Sequence, residues 1–244
     1  MRSIRNLLLA SLLFLGYTTP GSAQCNMLLL GAGTCGSAAV PIVLGNVTTV
    51  QDATPSGSPA TVSFTPTSGT NRLLLVAIMF NDATATVSSV TFNGGALTNN
   101  STLFRGNTTQ SVVFYWVVAA AETTADVVVT MSADVNVQVG ISSWTGVSQG
   151  TPVDTGTIAK NAYSFTNASS DVTSESGDIV VDALIFSAGA NPAKDASQTH
   201  IWGDVAPSFF GWGGTYEAGA ASVSMDWTTD TGTAAQVAMN LNKA

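Results

Sequence analysis

Alternating apolar and polar side chains constrain the fold of this chain more than any other feature of its sequence. Residues 60–64 read Ala-Thr-Val-Ser-Phe, and residues 135–141 read Val-Asn-Val-Gln-Val-Gly-Ile. A period of two puts every second side chain on one face of an extended strand, whereas a helix needs a period of about 3.6. No segment beyond residue 45 has the pattern of a long amphipathic helix. The chain is therefore predicted to be all-β.

A different pattern occurs in residues 73–80, which form a continuous apolar run ended by Asn81 and Asp82. Such a run is typical of a central strand that is buried on both faces. The dipeptide Asn93-Gly94 predicts a tight hairpin, because both residues tolerate a positive φ. Short strands between Gly, Asn, Thr and Ser turns predict an antiparallel β-sandwich of the jelly-roll type. Further strands are predicted at 47–50, 87–92, 111–118, 126–131, 135–144, 179–187, 208–216, 221–227 and 234–242.

The sequence also contains a weak internal repeat. Residues 72–80, Arg-Leu-Leu-Leu-Val-Ala-Ile-Met-Phe, resemble residues 178–186, Asp-Ile-Val-Val-Asp-Ala-Leu-Ile-Phe. Each copy continues with an aromatic segment, which aligns Trp116 with Trp212, and closes with an alternating strand. We expect two related halves that share one core, because neither half alone has the strand count of a stable sandwich.

The first 23 residues have the organisation of a secretory signal peptide. Arg2 and Arg5 precede the apolar run at residues 7–15, and small residues follow up to Ala23. The run is too short to cross a bilayer as a helix, which needs about 20 residues. We therefore predict cleavage after Ala23, a secreted or cell-surface location, and membrane contact through the cleaved signal peptide only.

An apolar segment, residues 24–45, precedes the predicted β domain at 46–244. Its Gly-x-Gly-x-x-Gly motif resembles a dinucleotide-binding fingerprint, but Pro41 would break the helix that such a motif must open. An oxidising compartment favours a disulfide between Cys25 and Cys35, with two free thiols as the alternative. The apolar side chains of this segment are expected to be shielded from water in one of three ways: by the loop that a Cys25–Cys35 disulfide closes, by the flank of the sandwich, or by a neighbouring subunit.

The charge balance excludes several classes of partner. Without Arg2 and Arg5, five basic and fifteen acidic residues remain of the seven and fifteen in the full chain, a net charge of 5 − 15 = −10. Such a chain cannot neutralise a row of nucleic-acid phosphates, and it is repelled by anionic membranes. We expect neither nucleic acid nor a nucleotide as a ligand.

Candidate catalytic groups are sparse, and the chain is predicted to be non-enzymatic. His200 is the only histidine, so metal sites that use two histidines are excluded. Asp178 and Asp182 are four residues apart, about 13 Å along a strand, which is too far for a pair of glycosidase carboxylates. Asp226 and Asp230 offer oxygen ligands for calcium, but without the dense spacing of a dedicated loop. We expect these acids to lie in water and the chain to hold no cofactor or metal.

An aromatic cluster near the C-terminus is the candidate ligand platform. It comprises Trp202, Phe209, Trp212 and Tyr216 within a glycine-rich stretch. Aromatic rings in loops can stack on sugars, whereas the same rings can equally fill a core. We expect Trp212 to be a core residue, and we expect Trp202 and Phe209 to be the candidates for exposed contacts.

Several phrases of the sequence, in order, resemble β-sandwich modules of unassigned function from secreted bacterial surface and adhesin-like proteins. They cover residues 46–242 and read NRLLLVAIMFND, VSSVTFNGGALT, VVFYWVV, ISSWTGVSQGTPVD, SGDIVVDALIF and EAGAASVSMDW. The resemblance implies a β-sandwich at the cell surface. The function predicted for the chain is therefore structural or adhesive. The alternatives are a carbohydrate-binding module that recognises surface glycans and a filament subunit, a homopolymer that assembles by adding its N-terminal segment as a strand to a neighbour.

Overall fold

The structure is a computed structural model that describes most of the chain beyond residue 39. The described ranges are 40–52, 59–99, 103–106, 109–154, 159–163, 167–187, 192–204, 210–228 and 232–244. These ranges contain β-strands and no helix, so the all-β prediction is confirmed for them. Accordingly, no helix in this part of the chain is long and apolar enough to cross a membrane.

The described strands are numbered in chain order. They are β1 (Val43–Asp52), β2 (Ala60–Phe64), β3 (Leu73–Asn81), β4 (Val87–Phe92), β5 (Gly95–Ala96), β6 (Thr98–Asn99), β7 (Phe104–Gly106), β8 (Gln110–Val118), β9 (Ala125–Met131), β10 (Val137–Thr145), β11 (Ala159–Tyr163), β12 (Asn167–Val172), β13 (Ile179–Ser187), β14 (Ala193–Lys194), β15 (Thr199–Asp204), β16 (Phe210–Ala218), β17 (Val223–Thr228) and β18 (Ala234–Leu241).

These strands form four antiparallel sheets. Sheet 1 has the order β1-β10-β3-β8-β6, with β7 also paired to β8, and sheet 2 has the order β2-β9-β4-β5. Sheet 3 has the order β11-β18-β13-β16-β15, and sheet 4 has the order β12-β17-β14. The middle of sheet 3 thus follows sheet 1 strand for strand, with β18, β13 and β16 in the places of β10, β3 and β8.

Strand β3 is buried on both faces, as its continuous apolar sequence predicts. Leu73, Leu75 and Met79 belong to an apolar cluster that sheet 1 shares with sheet 3. The residues between them, including Leu74 and Val76, belong to a second cluster that sheet 1 shares with sheet 2. Burial of a leucine side chain contributes about 1.5–3 kcal/mol, so this strand anchors both interfaces.

Strand β13 has the same role in sheet 3. Its residues Val181 and Ile185 pack into the cluster shared with sheet 1. Its opposite face contacts sheet 4, where Leu184 and Phe186 meet Trp227. The apolar clusters therefore connect the sheets in the order 2, 1, 3, 4.

The hairpin predicted at Asn93-Gly94 is confirmed. Both residues have positive φ, 50° and 76°, and they connect β4 to β5 through the pair Phe92 and Gly95. Strand β1 begins at Val43, inside the apolar segment that was expected to precede the domain.

The strand ladders revise the alignment of the internal repeat. Trp116 pairs with Leu75, the third residue of β3, whereas the third residue of β13, Val181, pairs with Tyr216. Tyr216, and not Trp212, therefore occupies the ladder position that corresponds to Trp116. The sequence alignment matched tryptophans because it cannot see the pairing of neighbouring strands.

Candidate functional site

The most unusual group in the described core is the carboxylate of Asp182. It is the fourth residue of β13, where β3 has Val76, and it is completely buried. Its side chain lies on the face of sheet 3 that packs against sheet 4. The expectation that Asp178 and Asp182 lie in water is wrong, because their exposed fractions are 6% and 0%. Charged groups are almost never buried without partners, so we expect hydrogen-bond donors around Asp182.

Four donors converge on the two oxygens of Asp182. Oδ1 accepts the backbone N–H of Thr215 at 2.8 Å and its hydroxyl at 2.7 Å. Oδ2 accepts the indole N–H of Trp227 at 2.6 Å and the amide N–H of Gln236 at 2.7 Å. These partners come from β16, β17 and β18, so a single carboxylate ties together strands of sheets 3 and 4. Hydrogen bonds to an ionised group are roughly twice as strong as neutral ones.

The buried position changes the acidity of this group. Desolvation raises the pKa of Asp182 above its ordinary value, and the hydrogen bonds from Thr215, Trp227 and Gln236 act in the opposite direction. Removal of water penalises the charged form of any carboxyl, whereas donors aimed at it favour that form. Burial is the larger effect here, so Asp182 holds a proton more firmly than an exposed aspartate does.

The network extends beyond Asp182 to Gln198, which lies in the turn before β15. The carboxamide of Gln198 donates from Nε2 to the Thr215 hydroxyl at 3.0 Å and accepts the backbone N–H of Asp195 at Oε1, at 2.9 Å. Thr215 and Gln198 are 0% and 2% exposed. The hydroxyl of Thr215 is therefore held between a carboxylate and a carboxamide in a region shielded from water.

A second polar cluster lines a cleft of about 340 Å³ near the C-terminus. Asp178 accepts the backbone N–H of Lys243 at 2.9 Å, the amide of Asn240 at 2.9 Å and the backbone N–H of Glu175 at 3.2 Å. Ser174 donates to the amide oxygen of Asn240 at 2.7 Å. These bonds join the end of β18 to the turn before β13, and they account for the buried acid without a ligand.

The residues considered for metal binding or catalysis are dispersed. Within the described ranges, no three His, Cys, Asp or Glu side chains come together as a possible metal site. Asp226 is half-buried in β17, and Asp230 lies outside the described residues. His200 is on strand β15, and partial burial, with the nearby charge of Lys194, lowers its pKa.

Two residues of the proposed aromatic platform are core residues. Trp202 and Trp212 are 1% and 3% exposed, and both belong to the cluster between sheets 1 and 3. The expectation of an exposed Trp202 is therefore wrong, and the expectation that Trp212 is a core residue is confirmed. Tyr216 is half-buried and meets Trp144 edge to face at 5.4 Å, while Phe209 lies outside the described residues. A sugar cannot stack on Trp202 or Trp212 without opening the core.

Two glycines leave space for the Trp202 ring between sheets 1 and 3, the two largest sheets. A Cβ atom on Gly140 of β10 would lie 2.6 Å from the Trp202 ring, and one on Gly214 of β16 would lie 2.1 Å from its Nε1. The ring of Phe114 is 6.5 Å away. The indole thus fills the interface at a position where both neighbouring strands lack a side chain, a relation that the sequence does not reveal.

The predicted disulfide partners Cys25 and Cys35 lie outside the described residues. No known protein family matches this chain, and no curated protein or solved structure proves similar to it.

Proposed function

We propose that this chain is a secreted, non-enzymatic β-sandwich protein that serves as a structural or adhesive component of the cell surface or extracellular matrix. The observation that carries the proposal is that the most deeply buried polar and aromatic side chains pack against, or hydrogen-bond to, other parts of the same chain. Trp202 and Trp212 fill the interface between the large sheets, and Asp182 joins three strands. Tryptophan and aspartate, which bind ligands in many other proteins, here stabilise the packing of the sheets.

We further propose that the scaffold consists of two related, jelly-roll-like halves packed through their large sheets. The equivalent strand orders around β3 and β13 support this arrangement. So do the contacts at the sheet margins, where β1 meets β15 and β7 meets β11. In this arrangement β11 corresponds to β1, and β15 corresponds to β7. A two-fold rotation that relates the halves then converts the contact between β1 and β15 into the contact between β11 and β7, as in an isologous interface.

The location and the function can be tested in cells that express the full chain. We expect the protein to be accessible to protease added outside intact cells, and a variant that lacks residues 2–23 to stay inside. Attachment of the cells to a surface should rise with expression of the full chain and not with the variant. A full chain that stays inside, or one that leaves attachment unchanged, would contradict the proposal.

A second candidate function, a filament subunit, is favoured by the exposed apolar residues. Among the described residues, the large hydrophobic side chains with high exposure are Val40, Val43 and Val47, at 45%, 52% and 37%. They lie on or just before β1, the outermost strand of sheet 1, and β10 is its partner among the described strands. A strand with a free edge is a template for a further strand.

The occupant that we propose for this edge is the apolar segment 24–39 of a neighbouring copy. Its sequence is uncharged and includes Met-Leu-Leu-Leu at 27–30, which is suited to the exposed valines of β1. Strand addition of this kind combines main-chain hydrogen bonds with apolar contacts on alternate side chains. Because each copy offers one such segment and one such edge, the contact would propagate head to tail.

Negative-stain microscopy and sedimentation of the mature chain test this assembly. Val43→Lys and Val47→Lys should abolish polymers, because lysine on an edge strand opposes pairing. Ser89→Lys adds the same charge at an exposed position of β4, an inner strand of sheet 2, and is the matched control that should still form polymers. Deletion of residues 24–39 should give a folded monomer. Polymers that persist in the deletion variant would overturn strand addition by this segment.

A further inference from the structure

We propose that Thr215 and Gln198 become joined by an intramolecular ester bond, formed when the Thr215 hydroxyl attacks the side-chain carboxamide of Gln198 and ammonia leaves. The proposal rests on four groups that meet in the core between sheets 3 and 4: a hydroxyl, a carboxylate, a carboxamide and a backbone N–H. They supply the four groups that acyl transfer uses, namely a nucleophile, a base, an electrophile and an oxyanion donor.

The nucleophile and its base are in direct contact. The Thr215 hydroxyl donates to Oδ1 of Asp182 at 2.7 Å, so the carboxylate can take the hydroxyl proton as the new bond forms. Trp227 and Gln236 hold the other oxygen, which fixes the orientation of the carboxylate. Burial raises the pKa of Asp182, and a carboxylate with a higher pKa is a stronger base.

The electrophile is equally close. Nε2 of Gln198 lies 3.0 Å from the Thr215 hydroxyl oxygen, and the carbon to be attacked is bonded to that nitrogen. The carboxamide oxygen accepts the backbone N–H of Asp195 at 2.9 Å, a donor that would stabilise the negative charge developing on this oxygen. Reacting groups held in contact avoid most of the entropic cost of a bimolecular encounter.

The step balances without any other reactant. A bond forms between Oγ1 of Thr215 and Cδ of Gln198, and the bond between Cδ and Nε2 of Gln198 breaks. The hydroxyl proton passes through Asp182 to the departing nitrogen, which leaves as ammonia, and no atom is oxidised or reduced. Thr215 and Gln198 are almost completely buried, which protects the product ester from hydrolysis by water.

The corresponding part of the first half offers an internal comparison. The position of Asp182 in β13 is occupied in β3 by Val76, which is part of an apolar cluster. We therefore expect a single cross-link of this kind in each chain. A second hydroxyl, that of Ser174, bonds to the amide oxygen of Asn240 and provides a matched control, because its bond is to an amide oxygen and not to a carboxylate.

The mass of the intact mature protein, measured after denaturation and reduction, is the decisive test. The cross-linked protein is lighter than its sequence by one molecule of ammonia. Chymotrypsin cleaves after aromatic residues between the two sites, including Trp202 and Trp212, so the peptides that contain Gln198 and Thr215 should remain joined. Hydroxylamine cleaves esters and should separate these peptides.

Variants assign the roles of the groups. Thr215→Ser keeps the hydroxyl and should retain the cross-link, whereas Thr215→Val and Asp182→Asn should show the full mass. Ser174→Ala should leave the mass deficit unchanged. The wild-type measurement decides the outcome even if a variant does not fold. Separate, unmodified peptides for Gln198 and Thr215 from wild-type protein would overturn the proposal. The same holds if the whole protein is lighter by one ammonia, because an N-terminal Gln24 can also lose ammonia.

Discussion

Replacement of Asp182 by asparagine tests how much of the stability depends on its buried carboxylate. An asparagine has one acceptor oxygen in place of two. If that oxygen stays beside Thr215, the amide NH₂ faces the N–H groups of Trp227 and Gln236, which are both donors. The substitution therefore leaves two buried donors without an acceptor while the shape of the side chain is preserved.

The size of the effect follows from these two donors. A buried donor that loses its acceptor costs about 1–3 kcal/mol, so two of them cost about 2–6 kcal/mol. Removal of a buried charge offsets part of this loss, since burial raises the pKa of Asp182. We expect a net destabilisation of about 2–4 kcal/mol near neutral pH.

The dependence on pH has a defined sign. Because the folded protein holds the Asp182 proton more firmly than the unfolded chain, this group contributes most stability below the unfolded pKa. That contribution declines as the pH rises from the ordinary value of 3.8 toward the raised folded pKa. The asparagine variant lacks this titration. The stability difference between wild type and variant is therefore larger at about pH 4 than at about pH 7.

Urea unfolding followed by tryptophan fluorescence measures both quantities, with Asp182→Asn made in a Thr215→Val background, so that the proposed ester contributes to neither protein and the donors of Trp227 and Gln236 remain. Asp126→Asn, on an exposed position of β9, is the matched control and should change the stability by less than about 0.5 kcal/mol. A loss below about 1 kcal/mol for Asp182→Asn would show that the four donors do not depend on the carboxylate. A stability difference that grows with pH would refute the dominance of burial over hydrogen bonding.

Two further predictions concern the packing of Trp202. Trp202→Ala should destabilise the protein by about 3–5 kcal/mol in the same urea assay, because it empties the interface between sheets 1 and 3; an unchanged unfolding midpoint would contradict the buried position. Gly140→Ala should cost about 1–3 kcal/mol, because the added Cβ lies 2.6 Å from the Trp202 ring. The loss of unfolding free energy caused by Gly140→Ala should be smaller when Trp202 is replaced by Phe. An unchanged loss in this double-mutant cycle would show that the added methyl group clashes with a residue other than Trp202.

The strands with the clearest local patterns were the most predictable part of the fold. The segments 60–64, 87–92 and 179–187 coincide with β2, β4 and β13, and 73–80 ends one residue short of β3. In each segment the apolar residues themselves show the alternation or the continuous run of a strand, so the strand can be recognised without knowing which strands it pairs with.

Strands with small or polar residues were missed for a physical reason. In β12, burial alternates strictly, but Ala168 and Ser170 are among its buried residues, and neither gives an apolar signal. In β15, Ile201 and Trp202 stand between polar and glycine residues, which resembles a loop sequence. Their burial comes from sheets 3 and 4 and from sheet 1, which the local sequence does not contain.

The candidate site depended almost entirely on tertiary structure. The sequence by itself determined the all-β class, the central strand β3 and the hairpin at Asn93-Gly94, because strand periodicity and turn conformation are local properties. The three-dimensional structure decided that Trp202 lies in the core and that Asp182 is surrounded by donors. The partner Gln236 is 54 residues away from Asp182 along the chain. Side-chain environments at that separation are set by which sheets pack together, and no local pattern encodes that choice.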